Sequence, residues 1–176
     1  MTCTKAIILT IALILLTACG KSPEEGATAN KAAPPPPPTD FRDADGRTQL
    51  MNTIEKGDFA AVKQLLDTGV DVNEKSKTGV TALMYSAGMG KVDVTKALLA
   101  KGADVNARAQ GNWTPLMAAA LTGQAETVRI LLQAGADPKV KDMTGKNAAD
   151  IAESKGHSAI VAMLKKAGAG PTPKRS

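Results

Sequence analysis

The chain has 176 residues, 43% of them apolar but only 2% aromatic, which is enough for one core of small aliphatic side chains and leaves little to line a large specific pocket. The formal charge of +5 lies mostly in the flanks, because residues 43–167 hold 16 Lys and Arg against 14 Asp and Glu. Nucleic acids call for a dense basic face and, for single strands, stacking aromatics, and this composition offers neither.

The first element in chain order is not part of a fold. Lys5 precedes an apolar run from Ala6 to Leu16, broken only by Thr10, and Leu16-Thr17-Ala18-Cys19 follows. A charged start, a short apolar stretch and small residues before a cut site describe a secretory signal. At 1.5 Å per residue the run falls short of a hydrocarbon core about 30 Å thick, so removal is expected rather than a permanent span. Leu16-Thr17-Ala18-Cys19 resembles the lipobox of bacterial lipoproteins. The resemblance implies a signal peptide over 1–18, lipid on Cys19 as the first mature residue, and a place in the bacterial cell envelope. Gly20 stands where Asp would favour the inner membrane, which implies the outer membrane, facing the periplasm. Several acyl chains anchor a protein that one short chain would not hold. With Cys3 discarded and Cys19 lipidated, the folded part carries no thiol, so neither disulfide nor redox chemistry is expected.

Residues 19–42 are rich in Pro and Ala, with Pro34 to Pro38 in a row and no apolar periodicity. Nothing there offsets the entropy of ordering, and the prolines favour polyproline II, a semi-stiff tether at about 3.1 Å per residue. The tail 170–176 reads as disordered in the same way.

Between these flanks the sequence restates itself every 33 residues. Thr48-Gln49-Leu50-Met51, Thr81-Ala82-Leu83-Met84 and Thr114-Pro115-Leu116-Met117 fall in register, followed by the altered Asn147-Ala148-Ala149-Asp150. Gly57, Gly90, Gly123 and Gly156 align, as do Leu65, Leu98, Leu131 and Leu164. Thr114 suits an N-cap and Pro115 the first helical position, so a short helix is predicted from there to about Ala120, stopped near Gly123. A second helix is predicted over roughly 125–134, with Val128, Leu131 and Leu132 on one stripe. Gly135-Ala136-Asp137 closes it and turns the chain outward. In such turns the side chains of Asp104 and Asn106 are expected to bond nearby amides. A helix pair of this length cannot bury its own stripe, so stacking on the next copy must do so, and the interval must be constant.

These residues resemble the ankyrin repeat over about 43–169. "TALMYSAGMGKVDVTKALLAKGADVNA" and "TPLMAAALTGQAETVRILLQAGADP" carry the likeness. The resemblance implies an all-α solenoid of four stacked helix-turn-helix units, about 43–75, 76–108, 109–141 and 142–169, joined by β-hairpin-like loops. Met51, Met84 and Met117 stand where the motif has His, which exchanges hydrogen bonds between turns for thioether packing. Lys165 stands where Leu66, Leu99 and Leu132 stand in earlier units, as a terminal cap requires.

No catalytic, metal or cofactor constellation is visible. His157 is the only His and follows Gly156, where the family's Gly-His implies a local backbone bond. "GMGKVD" lacks the spacing of a phosphate loop, and the Met ladder occupies interior positions that packing explains. What remains is binding. In the family, partners rest on a concave side made by hairpin tips and exposed positions of the first helices. Carried over, those positions are Arg47, Lys75, Lys77, Val80, Arg108, Gln110, Trp113, Lys141 and Lys146 on the tips, with Tyr85, Met89 and Leu121 on or near the helices. Trp113 reads as an exposed interface anchor. The cations point to another protein with an acidic surface, unless Asp71, Asp104, Asp137 and Asp142 balance them. The expectation is a non-catalytic, lipid-anchored scaffold for a partner protein, taking no nucleic acid and no small-molecule substrate. The alternatives are an antidote to a toxic envelope enzyme and a structural link to peptidoglycan or lipopolysaccharide.

Overall fold

The computed structural model describes residues 42–169. The signal segment, Cys19, the proline tether and the tail 170–176 lie outside the described residues.

Among the described residues, eight α-helices form four consecutive pairs: α1 (Gln49–Lys56) with α2 (Phe59–Asp67), α3 (Ala82–Gly88) with α4 (Val92–Ala100), α5 (Pro115–Leu121) with α6 (Ala125–Gln133), and α7 (Ala148–Ser154) with α8 (Ser158–Ala169). The first helix of each pair starts for a local reason. Thr48, Thr81 and Thr114 accept the N–H of Met51, Met84 and Met117 at 3.3, 3.4 and 3.3 Å, which caps α1, α3 and α5. The altered fourth motif caps α7 by a reciprocal route: Asn147 accepts the Asp150 N–H at 3.0 Å while Asp150 accepts the Asn147 N–H at 2.9 Å. Each first helix then stops at or just before a left-handed glycine, as at Gly123 with φ 78°.

First helices stack on first helices and second on second, so one continuous core runs through all four pairs. Met51 and Met117 are buried in it, together with Val62, Leu98, Val128, Leu131, Ile160 and Leu164, and Met84 is buried as well. No strand occurs among the described residues. The loops are tight hairpins closed by one bond each, from Asp43, Ser76, Ala109 and Asp142 N–H to the carbonyls of Arg47, Val80, Trp113 and Lys146, at 3.2, 2.9, 2.9 and 2.9 Å. An isolated bridge between Lys75 and Thr81 extends the second of them.

Two expectations are corrected. Asp104 does bond its own turn, accepting the Asn106 N–H at 3.0 Å, but Asn106 does not. It crosses to the next repeat, donating to the Gly135 carbonyl at 3.1 Å and accepting the Asp137 N–H at 2.9 Å, and Asn73 does the same to Gly102 and Asp104. His157 likewise reaches across, its Nε2 lying 3.3 Å from the Leu121 carbonyl oxygen. The ring sits so close to Gly123 that a Cβ there would lie 2.7 Å from it, so glycine serves both the turn and the stacking. Gly168, in register with Gly135, lies within α8.

Candidate docking face on the hairpins and first helices

Each proposed contact residue is set by its place in the repeat. Arg47, Val80, Trp113 and Lys146 close the four hairpins, and Lys75, Arg108 and Lys141 precede the last three. Adjacent hairpins are tied by main-chain bonds from Lys77, Gln110 and Met143 N–H to the carbonyls of Asp45, Thr78 and Gly111, at 3.3, 2.9 and 2.9 Å. The side chains therefore stand on a fixed rail.

Lys75, Lys77, Arg108, Gln110, Lys141 and Lys146 are exposed, as are Met89 and Leu121 on the first helices. Arg47, Val80, Tyr85 and Trp113 are half-buried. Trp113 is thus not the free anchor expected of it: it packs against the core cluster and shows only part of its ring. Tyr85 packs there too. The Arg47 guanidinium lies over the Tyr85 ring at 5.4 Å from its centre and pairs with Glu55 at 2.7 Å, linking the first hairpin to α3. Burial pushes the Tyr85 hydroxyl above its usual pKa, which keeps the ring neutral beneath that cation.

The acids expected to balance the tip cations do other things. Asp71, Asp104 and Asp137 accept N–H groups of their own turns, from Asn73, Asn106 and Lys139 at 2.8, 3.0 and 2.9 Å. Asp142 Oδ1 takes the Thr144 hydroxyl, the Thr144 N–H and the Lys146 N–H, at 2.7, 2.8 and 2.9 Å. The Thr144 hydroxyl above all holds its carboxyl below the ordinary Asp range, and the Arg47 N–H does the same for Asp43. Among the described residues, Lys75, Lys77, Arg108, Lys141 and Lys146 have no carboxylate within ion-pair distance. Lys77 Nζ instead donates to the Ala44 carbonyl at 2.6 Å and Lys75 Nζ to that of Arg108 at 3.3 Å.

Three residues of this face escaped the sequence. Arg42, counted there as tether, joins the first hairpin to the second through the Lys75 carbonyl at 2.9 Å and Glu74 at 2.5 Å. Asn112 occupies the left-handed position that Gly79 and Gly145 hold in neighbouring hairpins, at φ 62°, and its amide accepts from Arg108 and donates to the Lys141 carbonyl. Met143 is 80% exposed on the fourth hairpin, in register with Lys77 and Gln110. Its signal was an apolar residue in a polar column.

No group of three or more His, Cys, Asp or Glu side chains among the described residues converges as metal ligands would. None of their helices is long and apolar enough to cross a membrane. What the face offers chemically is a part-apolar floor bordered by fixed cations.

A family model described as ankyrin repeats, in three copies, matches residues 11–109 and 106–175. No curated protein matches the chain.

Proposed function

Because the chain belongs to the ankyrin-repeat family, whose members are typically non-catalytic modules for binding other proteins, we propose that it captures a partner protein on its hairpin and first-helix face. One observation carries this reading: Tyr85, Met89, Leu121, Val80 and Trp113 present apolar surface beside cations that have no acid of their own among the described residues. Apolar anchors within a polar rim are the usual anatomy of a protein interface, and uncompensated cations favour an acidic partner. Because the rail is already ordered, docking costs little conformational entropy.

The site of action we propose is the bacterial envelope. Its support is the sequence alone: Lys5, the apolar run Ala6 to Leu16, the Leu16-Thr17-Ala18-Cys19 motif and Gly20. Lipid on Cys19 and the proline-rich tether would hold the repeats near the outer membrane and raise the effective concentration of a partner there. Envelope extract passed over the intact protein tests both the capture and its address. Met89 and Leu121 are 39% and 37% exposed and Arg108 lies at the surface, so Met89→Ala/Leu121→Ala and Arg108→Ala disturb packing less than a change at half-buried Trp113, and loss of capture by variants that keep the wild-type circular dichroism reports on the face. Recovery of the same partner by wild type and both variants would remove the assigned face. Full-length protein carrying Cys19→Ala that still sediments with membranes would remove the anchor.

A further inference from the structure

One column of the face is cationic in every repeat. Arg42, Lys75, Arg108 and Lys141 stand at intervals of 33 residues, one before each hairpin, and all four are exposed. They differ in charge balance. Arg42 is neutralised by Glu74 at 2.5 Å, whereas Lys75, Arg108 and Lys141 have no carboxylate partner among the described residues.

The side chains of Lys75 and Arg108 are also tied along the row, and the Lys141 backbone is tied to it. Lys75 Nζ rests on the Arg108 carbonyl at 3.3 Å. The Arg108 guanidinium donates to Asn112 Oδ1 at 3.0 Å, and the Asn112 amide donates to the Lys141 carbonyl. Each tie runs toward the next cation, so the Lys75 and Arg108 side chains lie along the row instead of extending freely from it. A neutral oxygen acceptor leaves the full positive charge in place, so these two cations are ordered and unneutralised, and Lys141 continues the unneutralised row.

Its pitch selects a conformation. Packed helices lie about 8–10 Å apart, and that distance separates one repeat from the next. An extended β-strand advances about 10 Å in three residues but turns residue i+3 to its opposite face. Polyproline II has three residues per turn at about 3.1 Å each, so residues i, i+3 and i+6 share one face at nearly the repeat spacing. Trp113 closes the hairpin that Arg108 opens and shows part of its ring, giving proline rings an apolar surface to rest on.

From this we infer that Lys75, Arg108 and Lys141 receive an acidic segment of the partner protein in polyproline II conformation, with a carboxylate at every third residue. The inference rests on the docking face proposed above and adds the chemistry and register of what docks there.

The test uses two capped nine-residue peptides of one composition: three Glu-Pro-Pro triplets in succession, and the isomer with three Glu followed by six Pro. The chain has one Trp, so its fluorescence reports on this face alone. The spaced peptide is expected to bind the full-length protein about fivefold more tightly than the clustered isomer, from three exposed ion pairs in register against one or two. Arg108→Gln should erase that preference, and Lys96→Gln on α4 should leave it intact. Equal affinity for the two isomers, or a preference that survives Arg108→Gln, overturns the inference. So does inorganic tripolyphosphate binding as tightly as the spaced peptide, which would mark the column as a general polyanion site. If the isomers are not distinguished while envelope capture still depends on Met89, Leu121 and Arg108, only the register is wrong. If capture depends on none of them, the face itself is misassigned.

Discussion

Thr127 lies buried in α6 with a hydroxyl that meets no hydrogen-bond partner. One repeat earlier and later its position holds Val94 and Ile160, both buried and apolar. A buried orphan hydroxyl costs free energy that a side chain of the same shape does not, so Thr127→Val is expected to stabilise the protein by about 1 kcal/mol. A urea titration would show this as a higher midpoint at unchanged slope. Asp142 gives a residue-scale prediction of another kind. Its carboxyl is held below the ordinary Asp range by the Thr144 hydroxyl and neighbouring N–H groups, which the unfolded chain does not provide. The folded pKa is the lower of the two. The stabilisation is therefore complete above the ordinary Asp value of about 3.9 and is lost as pH falls below it toward the folded pKa. Thermal melts from pH 6 down to pH 3 should show falling stability. Asp142→Asn keeps an acceptor oxygen but cannot titrate, and should flatten that acid limb; an unchanged limb would show that the hairpin carboxylate contributes nothing.

At the scale of elements, the ties between neighbouring loops carry more than the loops themselves. Asn106 joins the turn after α4 to the turn after α6 through the Gly135 carbonyl and the Asp137 N–H. Asn106→Ala removes both bonds at an exposed place where water can partly replace them, so a cost of about 1 kcal/mol is expected by chemical denaturation. Lys139 stands where a third Asn would continue the ladder, and Lys165 pairs with Glu153 at 3.9 Å where earlier repeats have Leu. Lys139 ends the Asn ladder in the third repeat, and Lys165 gives the fourth a wet outer side. These elements also show what could be read from sequence and what could not. The helices were legible because their causes are local: a Thr cap, Pro115 at a first turn, a glycine at the exit. The cross-repeat partners of Asn106, His157 and Asn112 were not, since each lies 29 to 36 residues away and no short window holds both ends. The hairpin and first-helix positions proposed for docking were legible as places in a repeat. The half-burial of Trp113 was not, because it depends on packing against the core cluster rather than on its loop.

The molecule as a whole is a row of neighbours, and its steps are unequal. Contact between first helices is broadest between α3 and α5, where Ser86, Ala87, Gly88, Ala118, Ala119 and Ala120 let the backbones approach closely. The step between the first and second repeats is looser, with a cleft of about 340 Å³ lined by Ile54, Phe59, Val62, Val92 and Val94 among others. Stability in such an array is close to a sum of repeat and interface terms, so the first repeat should open before the centre does. Hydrogen exchange should find α1 and α2 less protected than α3 and α5. The proposed docking face is built from four repeats at once, and it requires that they stay stacked. Circular dichroism of an isolated 109–141 peptide beside the full chain tests this dependence most directly. The account predicts a coil-like spectrum with no cooperative melt for the peptide, against a helical spectrum and a sharp transition for the protein. A peptide that is helical and melts as sharply as the intact chain would contradict it.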